Sequence, residues 1–218
     1  MNILVALPRF PHPITQGDRL RAYYLLRELA KRHRLHLVCL AETPPTAADR
    51  EAIAPLVSNL EVFSHPLWRR GLGLVRAAFN RLPAQVNYFH SPPARQRLHE
   101  LAHSGEFDAG LVQLVRMAGN WPAEAPLPAV LDFIDALSAA MERRTHLAPA
   151  WQRPLLRLEA QRLAAFEEAT ARRFAATTII SEADRLALPA QARTQTHIVP
   201  NGLADHFLQQ TPPAAAEK

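Results

Sequence analysis

Two histidines four residues apart with a glutamate beside the first, His99-Glu100-Leu101-Ala102-His103, match the H-E-x-x-H pattern of zinc hydrolases. On a helix the two imidazoles would lie on one face and could share a metal ion. The flanks read differently: Gln96, Arg97 and Ser104 are polar, and Gly105 ends the helix just past the second histidine. Glu124, the one candidate third ligand, lies in a proline-rich stretch with no helix to aim it. A zinc-dependent hydrolase therefore stands as an alternative reading only, and no metal site is expected.

Other stretches could handle hydroxyls and anions. In LDFIDALS, Asp132 and Asp135 stand at the end of an apolar run, where a carboxylate can bind an acceptor hydroxyl or take its proton; these are the catalytic candidates. Asp135 could equally cap the helix that follows. Pro8 to Asp18 holds Arg9, His12 and Gly17, and a glycine just ahead of a helix lets a phosphate approach free backbone N–H groups. No G-x-G-x-x-G is present, so a plain turn is the competing reading. Arg116 to Asn120 reads as a basic, amide-bearing loop able to hold an anionic or sugar ligand through Arg116 and Asn120. In Trp68 to Arg81, Leu72, Val75 and Phe79 fall at helical spacing beside Arg69, Arg70, Arg76 and Arg81. Such a helix could lie on an anionic membrane through Trp68, Arg69, Arg70 and Arg76, or could pack as an ordinary surface helix on a sheet.

The elements that position these groups follow from the apolar pattern. Short β-rich runs recur at Ile3 to Leu7, Leu35 to Leu40, Leu60 to Phe63, Ala109 to Val115, Ala129 to Ile134, Thr177 to Ile180 and His197 to Val199. Helix-like segments separate most of them, which predicts an α/β domain with a Rossmann-like parallel sheet and helices on both faces. Ligands of such sheets bind beyond the carboxyl ends of the strands, where the candidate loops lie. Thr15 with Asp18 and Thr46 with Asp49 have the spacing of helix caps, and Ser91-Pro92 opens a helix that Gly105 can end. The longest helix is expected from about Gln152 to Arg173, and the prolines of Trp121 to Pro128 predict a loop.

The 218 residues suit one large domain and are short for two. The 25 Lys and Arg against 20 Asp and Glu are scattered through apolar-periodic segments, which argues against a nucleic-acid stripe and leaves phosphate or membrane ligands open. Cys39 is the single cysteine, so no internal disulfide forms and a reducing compartment fits. MNILVALPRF lacks a basic leader and no apolar stretch approaches the roughly 20 residues of a membrane span, so a cytoplasmic protein is expected.

Taken in order, MNILVALPRFPHPITQGDRLRAYYLLRELA, VLDFIDALS, TTIISEAD and HIVPNGLADHF resemble the amino-terminal half of a GT-B glycosyltransferase. The group is the large retaining one that includes bacterial lipopolysaccharide and mannosyl transferases. The nearest likeness is to the sugar transferases of exosortase-type exopolysaccharide systems. The resemblance implies transfer of a sugar from a nucleotide-sugar, bound as substrate with no cofactor, to a lipid-linked or polysaccharide acceptor. Gly17 would face the donor diphosphate, Asp132 to Asp135 the acceptor and anomeric centre, and the rest of the first loop the acceptor cleft. Where many relatives carry a histidine near the end of the fifth strand, this chain reads Phe133, Ile134, Asp135.

In that family IVPNG followed by Asp205 and Phe207 leads across a hinge into a carboxy-terminal domain that supplies most donor contacts. Residues 1–207 are accordingly expected to form the acceptor-side domain and 208–218 a disordered tail, Pro and Ala rich from Thr211 to Lys218, where a further domain would begin. The half alone should be inactive, whether truncated or split by design, and peripheral on the inner membrane face through its basic helix. A non-catalytic module binding a membrane or partner chain is the competing reading.

Overall fold

A computed structural model describes residues 1–202 of the chain. Asp205, Phe207 and the Thr211 to Lys218 tail lie outside the described residues. Seven strands form one sheet in the order β3-β2-β1-β4-β5-β6-β7: β1 (Asn2–Leu7), β2 (Arg34–Ala41), β3 (Asn59–Ser64), β4 (Ala109–Gln113), β5 (Ala129–Ile134), β6 (Ala176–Ile179) and β7 (Thr196–Ile198). Every pairing is parallel. The helices are α1 (Gly17–Ala30), α2 (Ala47–Ile53), α3 (Leu67–Phe79), α4 (Ala84–Tyr88), α5 (Pro92–Ala102), α6 (Val115–Ala118), α7 (Leu137–Leu147), α8 (Arg153–Ala171), α9 (Glu182–Ala187) and α10 (Ala190–Arg193).

Alternate side chains of the central strands feed two cores, as a strand's two-residue period requires. Leu4, Ala6, Val38, Leu40, Val112 and Leu131 point into one, shared with Leu98 of α5 and Leu163 of α8. Ile3, Val5, Leu7, Leu35, Leu37 and Cys39 point into the other, closed by Ala22 and Leu26 of α1 and Ile53 of α2. The expected Rossmann-like α/β architecture is therefore present, with both faces covered. Strand order reverses direction between β1 and β4, and it is beyond the carboxyl ends at such a reversal that open parallel sheets form their crevice.

Several local expectations change. The fourth strand stops at Gln113, two residues before the predicted end, because Leu114 takes φ 64° and ψ 136°, and Val115 already starts α6. The stretch after it is a turn of helix and no longer a loop. Thr46 and Asp49 form a reciprocal capping box on α2, whereas the same spacing at Thr15 and Asp18 does not: Gln16 precedes α1 without a side-chain cap.

The basic helix α3 packs on α4, where a Cβ on Gly73 would stand 2.3 Å from the Asn87 carbonyl oxygen. Its buried side is Arg70, Gly73 and Ala77. At 100° per residue Trp68, Leu72, Val75 and Phe79 run along the opposite side, with Phe79 87% and Trp68 62% exposed. Arg70 corrects the outward-facing assignment. It is 3% exposed, donates to the His65 carbonyl at 3.1 Å and the Tyr88 hydroxyl at 3.0 Å, and pairs with Glu42 at 2.5 Å. No described helix is long and apolar enough to cross a membrane.

Candidate functional site

Three of the residues singled out from the sequence meet at the reversal point. Arg9 follows β1, Arg116 follows β4 in α6, and Asp135 follows β5. Both guanidinium carbons lie 5.6 Å from the centre of the Phe89 ring, which carries them as cation–π partners. Arg9 donates to Asp18 and Gln16, each at 3.0 Å, so the acidic first turn of α1 fixes it.

The charges in this cluster act on one another. Burial, then the neighbouring Arg9, pull the Arg116 guanidinium below its ordinary value, while Asp135 and Asp18 act in the opposite direction. Burial pushes the Asp135 carboxyl up; Arg116 opposes this and Asp184 adds to it. A half-buried carboxyl shifted upward beside a cation is suited to exchange a proton with a bound hydroxyl. Arg116 Nε and the buried Gln113 Nε2, at the end of β4, have no partner among the described residues, so hydrogen-bonding capacity is left over at this edge.

The backbone is strained at the same place. Leu114 at φ 64° and Ile134 at φ 67° end adjacent strands in a region L-residues rarely enter, at a cost on the order of 1–3 kcal/mol each. Ile134 also shifts the β5–β6 register, which turns the chain so that Asp135 leaves the sheet edge. Strain of this kind gathers where a structure holds groups for a ligand.

The remaining expected residues go elsewhere. Asp132 is 1% exposed, and its carboxylate accepts from Arg21 Nε at 2.7 Å, Arg21 Nη2 at 3.0 Å and the Thr178 hydroxyl at 2.9 Å. Those bonds occupy it in tying α1 to β5 and β6, and leave Asp135 as the carboxylate at the crevice. Asn120 is fully buried; its oxygen accepts from Ser91 N at 2.8 Å and its amide donates to the Phe89 carbonyl at 2.9 Å. It holds the entry to α5, so it does not present its amide to a ligand. His12 turns to α2, with Nδ1 2.7 Å from Asp49 Oδ1, and this bond, with those from Thr46, holds the Asp49 carboxyl down at about 2. Gly17 opens α1 with nothing within 4 Å of where a Cβ would stand. His99 and His103 stack at 4.2 Å with His103 Nδ1 bonded to the His99 carbonyl oxygen, and α5 ends at Ala102. Among the described residues no group of three His, Cys, Asp or Glu side chains could hold a metal ion.

Two contributors were missed from sequence. Arg21 could have been found: it stands four residues before Leu25, in the apolar register of α1, where a charge needs a buried partner. Phe89 carries no such signal, since it becomes part of the site only through the contacts of its ring.

No protein-family model matches the sequence, and no curated protein matches it. Among solved structures, the chain is similar to Phytolacca americana UGT2 complexed with UDP-2fluoro-glucose and pterostilbene, with a TM-score of 0.52 and 12% identity. The match covers 95% of this chain and 56% of that one, so this chain spans little more than half the length of the protein it resembles. At that identity the likeness shows the fold alone.

Proposed function

We propose that the chain is the acceptor-side half of a GT-B glycosyltransferase that moves a sugar from a nucleotide-sugar to a lipid-linked or polysaccharide acceptor. The supporting observation is the pair Arg9 and Arg116 on the Phe89 ring, with Asp135 beside Arg116, at the β1/β4 reversal. The fold likeness to a protein whose structure holds UDP-2fluoro-glucose is consistent with it. Arg9 and Arg116 hold the acceptor's anionic or hydroxyl-rich end, and Asp135 orients the attacking hydroxyl and relieves it of its proton as the glycosidic bond forms. The bond to the nucleotide diphosphate breaks in the same step, and the open space at Gly17 lets that diphosphate reach the start of α1. The donor site itself belongs to a second domain.

The test is sugar transfer from radiolabelled UDP- and GDP-sugars to membrane-extracted glycolipid. The 218-residue chain alone is expected to give none. Joined to the nucleotide-binding domain of a GT-B enzyme it should transfer, and Asp135→Asn should lower kcat about 100-fold. Turnover by the chain alone, or a folded fusion without nucleotide-sugar affinity, would count against the reading.

A second reading, a membrane-binding module, is favoured by α3, whose Trp68, Leu72, Val75 and Phe79 face outward beside Arg69 and Arg76. Burying each aromatic side chain in the lipid interface contributes about 2 kcal/mol. Flotation with phosphatidylglycerol vesicles is therefore expected, with a loss of more than about tenfold in Trp68→Ser/Phe79→Ser. A wild-type chain that stays at the bottom of the gradient removes the membrane role.

A further inference from the structure

A cavity of about 460 Å³ opens between α3 and α5, lined by Arg76, His90, Pro92, Arg95, Gln96 and His99. Its volume falls within the range of about 300–1,000 Å³ usual for small-ligand sites. A recess of about 110 Å³ continues it inward, sharing Arg76, His90 and Arg95 and reaching Asn87 and Gly119. No carboxylate lines either space. Among the described residues neither Arg76 nor Arg95 has an ion-pair or side-chain hydrogen-bond partner, and the nearby Glu100 is taken by Gln96 and Arg97.

Three elements thus bring cationic or protonatable groups to one open, shallow recess with no carboxylate in its lining. Burial lowers the His90 imidazole first, and Arg76, Arg95 and His65 lower it further. The cavity also meets the amino-terminal turn of the 11-residue α5, whose dipole adds positive potential. Arg76 of α3, His90 before α5 and Arg95 of α5 line the same recess. No Phe, Tyr or Trp ring lines the space to stack a base, and no carboxylate is there to bind a sugar hydroxyl. A compact, multiply charged anion satisfies all of it at once.

We propose that Arg76, His90 and Arg95 form a binding site for a phosphate or diphosphate group, lined by other residues than the Arg9–Arg116 cluster. Arg76 lies on the flank of α3 between its buried side and its apolar stripe, so the phosphate of a lipid headgroup would leave its chains along Leu72, Val75 and Phe79. A soluble phosphate compound would use the same groups. The proposal needs no step of the sugar-transfer reading.

Calorimetric titration of the full chain with inorganic pyrophosphate at low salt tests it, with the His90 imidazole followed by NMR. Pyrophosphate should bind and raise the His90 pKa, and Arg76→Gln and Arg95→Gln should each weaken binding about tenfold or more, the loss of one charge-assisted contact. Both side chains are exposed and unpaired, so the variants should keep the wild-type circular dichroism. Displacement of pyrophosphate by phosphatidic acid vesicles would assign the site to a headgroup, and failure of those vesicles to compete would assign it to a soluble ligand. Trp68→Ser/Phe79→Ser should still bind pyrophosphate, which separates this site from the membrane reading. No binding, or binding that both arginine variants leave unchanged, would overturn the proposal.

Discussion

Asp132→Ala is expected to destabilise the fold by about 3–5 kcal/mol, read as a lowered midpoint of urea unfolding at unchanged m-value. The carboxylate is 1% exposed and takes both Arg21 donors, at 2.7 and 3.0 Å. Removing it leaves a guanidinium buried among α1, β5 and β6 with Asn201, at 2.8 Å from Arg21 Nη1, as its remaining hydrogen-bond partner. The magnitude comes from that stranded charge more than from the lost attraction, because desolvating an ion pair consumes most of what the pairing returns. Arg21→Met/Asp132→Leu should therefore be more stable than Asp132→Ala. A single variant within about 1 kcal/mol of wild type would show that Arg21 is hydrated in solution.

A second large effect is a dependence of stability on pH set by Glu167. This residue is fully buried in α8; its carboxylate accepts from Ser138 N at 3.0 Å and from the Ser138 hydroxyl at 2.5 Å, closing the first turn of α7. Burial pushes its carboxyl up to about 7 in spite of those bonds. In the unfolded chain the group titrates near 4.5, so between 4.5 and about 7 the folded state keeps a proton that the unfolded chain has released. Stability from this residue is accordingly complete below that window and falls as pH rises through it, by roughly 3 kcal/mol. His65 and His90, which burial shifts downward, change stability in the opposite sense, so the comparison to make is between wild type and Glu167→Gln. The amide does not titrate, and the difference between the two unfolding curves should grow as pH falls from 7 to 4.5. A flat difference would mean that Glu167 is ionised in the fold.

Most of the framework was legible because strands announce themselves by short apolar runs. Ala129 to Ile134 matches β5 at both ends, and other strands differ by a residue or so. The fourth strand ends two residues short of its apolar run, since nothing in the composition of Leu114-Val115 marks the positive φ at Leu114. The two capping patterns look alike in sequence, yet only Thr46/Asp49 closes, since Asp18 is drawn to Arg9 across the β1–α1 loop. Arg9, Arg116 and Asp135 could be picked out because strand ends in a parallel sheet converge. Asp132 and Asn120 could not be separated from them, because burial and pairing across 111 and 29 residues are tertiary facts. Arg70 had a readable signal that an amphipathic pattern hides: Gly73 and Ala77 share its side of the helix, and small residues mark where a helix is pressed against a neighbour.

The seating of α3 settles whether its greasy stripe can be concealed. Rolling the helix to shelter Phe79 would lift Gly73 off the Asn87 carbonyl and present larger side chains to a gap with no room even for a methyl group. It would also break the bonds that tie Arg70 to Glu42 and to the His65 carbonyl. A roll of α3 on α4 is thus opposed by these contacts. The exposure of Trp68, Leu72, Val75 and Phe79 is therefore tied to the same contacts that seat the helix.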